Sequence, residues 1–138
     1  MAEIEQEQTQ AAKQGAGYFA PTEWATYQGQ EKVKNRLQIK IQAAMERYEQ
    51  MDHCLILGPS GSGKTSLAKL IAGEHGKPFL YIMITPGFSQ DKLSNLLIAF
   101  DEDGGGICML DEIHCFNTKQ QHFLYSILEE GCISYNTG

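Results

Sequence analysis

Arginine is almost missing from this chain of 138 residues: it occurs at Arg36 and Arg47 and nowhere after them. Any cationic work beyond residue 47 therefore falls to lysine or histidine, which offer a point charge or a single donor in place of a planar fork. Basic charge as a whole is short, with 11 Lys and Arg against 17 Asp and Glu and a formal net charge of −6. That balance excludes a protein that coats itself in nucleic acid, though not a local loop that touches DNA. Long apolar runs are missing too. The longest clear one, Phe79 to Ile84, falls far short of the roughly 20 residues that span a bilayer. There is no basic-then-apolar leader pattern at the N-terminus, and Cys54, Cys108, Cys115 and Cys132 lack C-x-x-C spacing. These absences predict a soluble cytoplasmic protein with reduced thiols and no membrane partner. Zinc held by Cys115 with His114 or His122 lacks a second ligand pair.

What the chain does contain is one domain's length, an apolar fraction of 42%, and the stretch Gly58-Pro59-Ser60-Gly61-Ser62-Gly63-Lys64-Thr65. This stretch matches the Walker A pattern G-x-x-x-x-G-K-[ST] at every fixed position. It follows the apolar run Cys54-Leu55-Ile56-Leu57 and precedes Ser66-Leu67-Ala68-Lys69-Leu70-Ile71. The glycines let the backbone curl into a loop whose N–H groups point inward, and the helix that follows adds its positive end. Such a loop suits the phosphates of ATP or ADP. Lys64 would reach the β- and γ-phosphates, the Thr65 hydroxyl would ligate Mg²⁺, and Ser66 would lie at the edge of the same cradle.

The remainder reads as alternating strands and helices. Residues 1–17 are polar, rich in Gln and Glu, and predict a mobile tail. Tyr18 to Gln30 predicts irregular chain packed against something. Val33, Leu37, Ile41, Ala44, Met45 and Tyr48 share one face of a helix from Glu31 to about Gln50. His53 to Leu57 predicts a buried strand, and Lys64 to His75 a helix closed by Gly76. Phe79 to Ile84 predicts a second strand. Ser89 would cap a helix carrying Leu93, Leu96, Leu97 and Phe100, which stops in Asp101-Glu102-Asp103-Gly104-Gly105-Gly106. Ile107 to Leu110 predicts a third strand. Asn117 would cap a helix from Thr118 to Glu130 with Phe123, Leu124, Ile127 and Leu128 inward, and a further strand would begin at Cys132.

The third strand leads directly into Asp111 and Glu112. After a Walker A loop this arrangement reads as Walker B, with Asp111 in the magnesium shell near Thr65 and Glu112 orienting a water for attack on the γ-phosphorus. Glu112 and Lys64 are thus the candidate catalytic residues. Many P-loop kinases lack the second acid, so the pair favours hydrolysis. His114 would position the loop or meet a neighbouring subunit.

These residues together resemble an AAA+ ATPase and, within that group, the RuvB-type Holliday junction branch-migration motors. The likeness rests on Pro21, Trp24, Tyr27-Gln28-Gly29-Gln30-Glu31-Lys32-Val33-Lys34, Asp52 to Pro59, the Walker A residues and Leu110-Asp111-Glu112-Ile113-His114, and it covers roughly Tyr18 to Tyr135. The resemblance implies an α/β P-loop NTPase of AAA+ type, a three-layer α/β/α core with a parallel sheet, apparently incomplete at the C-terminus. It implies an ATP-driven DNA helicase active in recombination and repair, working as a hexameric homo-oligomer on junction DNA. It also implies that Tyr27 and Gln28 line the adenine pocket. The family usually has an apolar residue at the position of Gln28, an arginine at that of Ala20 and another at that of Cys115.

The family's arginine finger, sensor residues and helical lid would follow Gly138, as would a fourth strand lying between the two Walker strands. Three strands with that gap would leave backbone groups unpaired and apolar faces exposed. Direct pairing of the Walker strands is the alternative arrangement. Two other functions stay open on sequence alone: a nucleotide-binding assembly module with little hydrolysis of its own, and a P-loop small-molecule kinase.

Overall fold

Glu31–Glu46 forms helix α1, and its buried residues Leu37, Ile41 and Ala44 recur at the three- and four-residue spacing that lines up one helical face. The computed structural model describes residues 23–130; the predicted tail 1–17 and the strand predicted from Cys132 lie outside them. The fourth member of the buried stripe is a cation, Lys34, at 7% exposure. Val33, Met45 and Tyr48, expected on the same face, are exposed instead, Tyr48 almost completely. The helix stops at Glu46, and Tyr48 adopts the left-handed conformation at φ 56°, so its side chain no longer follows the helical register.

Helix α2, Lys64–His75, has the predicted bounds, with Gly63 and Gly76 left-handed at its two ends. Leu67, Leu70 and Ile71 on α2 pack with Tyr27, Leu37 and Ile41 into one apolar cluster, and Trp24, Met51 and Ile56 flank it. Trp24 is further held by its indole N–H, which donates to Glu74 at 3.1 Å.

Strands β1, Phe79–Met83, and β2, Ile107–Asp111, make a two-stranded sheet. The Ile107 N–H donates to the Pro78 carbonyl at one end, and the Ile84 N–H to the Asp111 carbonyl at the other. Residue numbers rise together along both strands, so the pairing is parallel. A parallel pair needs a crossover, here helix α3, Gln90–Glu102. Ser89 Oγ accepts the Lys92 N–H at its start, and Leu93 is its fully buried anchor. Helix α4, Thr118–Glu130, follows β2. Asn117 and Gln120 bond each other's backbone N–H groups at its start, at 2.9 and 3.0 Å. This reciprocal pair satisfies two donors that the first turn of a helix leaves without partners.

The strand expected at His53–Leu57 is absent: residues 51–59 have no regular structure, and Leu55 and Leu57 are 69% and 83% exposed. A strand exists through its neighbour, since only pairing satisfies its backbone. Among the described residues β1 and β2 pair with each other. The alternative of direct pairing between the two Walker strands is not what forms, because residues 53–57 adopt no strand to pair with β2.

The chain divides into two compact units, Met1–Leu80 with Gly106–Met109, and Tyr81–Gly105 with Leu110–Gly138. Among the described residues no helix is long and apolar enough to cross a membrane.

Candidate functional site

In the first unit the Walker A residues form a tight loop. The Ser62 N–H donates to the Pro59 carbonyl at 3.2 Å, and the backbone is left-handed at Gly61 (φ 74°) and Gly63 (φ 87°). At Gly61 a Cβ would meet nothing within 4 Å, so the backbone angle alone calls for glycine. At Gly63 space forbids a side chain as well, since a Cβ would lie 2.9 Å from the Tyr27 hydroxyl oxygen. Helix α2 starts here, with the Leu67 N–H on the Gly63 carbonyl at 2.9 Å and no side-chain cap. Its first N–H groups and positive end favour an anion. The Lys64 ammonium is held by the carbonyls of Gly58 and Pro59 at 2.7 and 2.9 Å. Ser60 and Ser62 are exposed, while Thr65 and Ser66 are half-buried on the first turn of α2. Left-handed glycines, one of them without room for a side chain, an uncapped helix start and a lysine at the loop form a donor set that fits a phosphate chain.

Tyr27 and Gln28 part company in the structure. Tyr27 is buried, with its ring against Gly63 and its hydroxyl 3.4 Å from the carbonyls of both Ser62 and Gly63. Gln28 is exposed. Behind Tyr27 stands Lys34, whose ammonium donates to the Tyr27 carbonyl, pairs with Glu31 at 2.8 Å and lies 5.9 Å from the centre of the Tyr27 ring. Sequence reading gave Lys34 no role. The available signal was its spacing, which puts a cation three residues before Leu37 and seven before Ile41.

In the second unit Asp111 ends β2, with both carboxylate oxygens engaged. Oδ2 accepts the Tyr81 hydroxyl at 2.7 Å, and Oδ1 accepts the Glu112 N–H at 2.9 Å. Burial first, then the bond to Asp111 and the charges of Asp111 and Glu112, push the Tyr81 hydroxyl up to about 12. Each Asp111 oxygen keeps a lone pair for a further contact, a ligand type that suits Mg²⁺. Glu112 is left-handed at φ 58°, a conformation uncommon outside glycine. Its half-exposed carboxylate lies 3.2 Å from His114 Nε2. Tyr81 is a second residue that sequence reading missed, because strand register alone decides what stands beside Asp111. Burial pushes the Cys108 thiol on β2 up to about 12, which keeps it as the thiol near neutral pH.

Residues 19–138 match the family described as the Holliday junction DNA helicase RuvB P-loop domain. The chain is 40% identical over 119 residues to the Holliday junction branch migration complex subunit RuvB of Levilactobacillus brevis, covering 86% of this chain and 34% of that protein. It is 41% identical over 105 residues to the subunit of the same name from Fervidobacterium nodosum, covering 75% and 29%. The RuvB Holliday junction branch migration motor of Thermotoga maritima superposes with a TM-score of 0.71 at 31% identity, over 83% of this chain and 38% of that one. The chain thus spans about a third of the length of the curated relatives it matches. Sequence, loop geometry and fold agree: the chain belongs to the RuvB P-loop domain family.

Proposed function

We propose that this chain binds ATP and ADP with Mg²⁺ and hydrolyses ATP as part of a RuvB-type motor on Holliday junction DNA, assembled as a homo-oligomeric, hexameric ring in the cytoplasm. The observation that carries the reading is the phosphate loop, in which Gly63 has no room for a side chain and Lys64 is held at the loop by two of its carbonyls. Nucleotide binding exchanges those two carbonyl contacts for the β- and γ-phosphates, a charge-assisted replacement. Thr65 and Asp111 are the residues to hold the magnesium ion, which neutralises phosphate charge when bound. Glu112 accepts the proton of the attacking water and orients it. Tyr27 and Gln28 are proposed to lie toward the adenine, Gln28 by its exposed position.

A second reading, a nucleotide-binding assembly module with little turnover of its own, is favoured by one observation. Of the two arginines of residues 1–138, Arg36 lies on α1 and Arg47 just past its end, and Arg47 is paired with Glu49 at 3.1 Å. An arginine finger is worth about 10³-fold or more in comparable phosphoryl-transfer enzymes. Measuring ATP binding and turnover of the chain and of Glu112→Gln separates the readings. Hydrolysis requires turnover that is lost in Glu112→Gln with binding retained. Binding with negligible turnover in both supports the assembly module, and turnover that survives Glu112→Gln overturns the role of Glu112.

A further inference from the structure

Among the described residues Lys34 is the one buried Lys or Arg, and burying a cation is costly unless it is paired and hydrogen-bonded. Here its partners are the Tyr27 carbonyl and the Glu31 carboxylate, with the Tyr27 ring beside it. The contacts to the carbonyl and the ring therefore last only while Tyr27 keeps its place, and Glu31 alone does not replace them. Tyr27 in turn sets its hydroxyl against the carbonyls of Ser62 and Gly63, on the side where a Cβ of Gly63 would stand. Three separate parts of the chain, α1, the Tyr27 segment and the phosphate loop, converge through these contacts. None of these atoms belongs to the loop's own hydrogen-bonding surface of N–H groups.

We propose that Lys34 and Tyr27 are positioning residues that hold the phosphate loop in its phosphate-ready shape, Lys34 acting through Tyr27 and Tyr27 through the carbonyls of Ser62 and Gly63. This inference rests on the nucleotide-binding reading above. A loop already in shape loses less conformational freedom when the phosphate chain arrives, so the benefit falls on the β-phosphate and beyond rather than on the base. A purely structural role for the same pair would lower stability without changing the preference between nucleotides that differ in phosphate number.

The test compares dissociation constants for ADP and AMP in the full chain, Tyr27→Phe and Lys34→Met, by calorimetry, with thermal unfolding of each. Trp24, the chain's one tryptophan, flanks the same cluster and reports whether the fold persists. Lys34→Met is expected to weaken ADP by roughly tenfold with AMP changed by less than about twofold, and Tyr27→Phe, which keeps the ring, to weaken ADP about threefold more than it weakens AMP. An ADP-to-AMP affinity ratio equal to that of the unsubstituted chain in both variants would overturn the proposal, even where unfolding temperatures fall. If Lys34→Met does not fold, Tyr27→Phe decides alone, because it removes one oxygen and keeps the ring. Failure of the unsubstituted chain to prefer ADP over AMP sinks the phosphate-loop reading itself. A preference that persists unchanged in the variants sinks only this inference.

Discussion

The Tyr81 hydroxyl donates to Asp111 Oδ2 at 2.7 Å, across the pair of strands that ends at the predicted metal-binding acid. The bond keeps the carboxylate in one rotamer and leaves its Oδ1 to the Glu112 N–H. Tyr81→Phe removes one oxygen and leaves the ring packed. A hydrogen bond to a charged group contributes about 1.5–3 kcal/mol, and this one is only partly buried, so a loss near about 1 kcal/mol is expected in urea unfolding. Unchanged stability would mean that water replaces the tyrosine hydroxyl without cost.

Alkaline pH should unfold this protein early. Tyr81 is raised from 10.0, and Cys108 from 9.0, each to about 12. Between about pH 9 and 12 the unfolded chain has released protons that the folded chain keeps, so each step upward favours unfolding. The stability that both groups contribute is complete below about pH 9 and is lost as pH rises through the folded values. Urea midpoints at pH 8, 9 and 10.5 should fall in that order, and Tyr81→Phe combined with Cys108→Val should flatten the decline.

Gly63→Ala meets two obstacles, a φ of 87° and the Tyr27 hydroxyl oxygen 2.9 Å from the new Cβ. A cost of about 1–3 kcal/mol is expected, together with weaker ADP binding. Gly61→Ala, with nothing within 4 Å of its Cβ, should show only the smaller cost of the backbone angle. Equal effects of the two substitutions on stability would remove Tyr27 from the explanation.

Asn117→Ala breaks the reciprocal cap of α4, in which Asn117 Oδ1 accepts the Gln120 N–H at 2.9 Å. Loss of an N-cap costs about 1 kcal/mol. Gln120→Ala should cost more, because the Gln120 amide also reaches the Phe88 carbonyl. Thermal unfolding of the two variants ranks them.

Local chemistry explains what could be read from sequence. Gly63 and Gly76 bound α2, Ser89 and Asn117 cap α3 and α4, and Asp111 and Glu112 follow an apolar run; each of these signals lies within a few residues of the element it defines. The failures share a different cause. Cys54-Leu55-Ile56-Leu57 has the composition of a strand, but a strand also needs a partner that local composition does not supply. Nothing local sets Lys34 apart from the other charges of its helix, yet it is buried in the stripe of Leu37 and Ile41, with its head on Tyr27. Tyr81 carries no local signal, and only the register of β1 on β2 brings its hydroxyl to Asp111. Pairing with another segment, not propensity, decided all three.

ATP binding by the full chain and by Lys64→Ala tests the central claim most directly. If the Gly58–Thr65 loop is a nucleotide cradle, the unsubstituted chain binds ATP and Lys64→Ala binds it roughly 30-fold more weakly or worse, with an unfolding temperature close to that of the parent. Equal affinity in the two chains would contradict it.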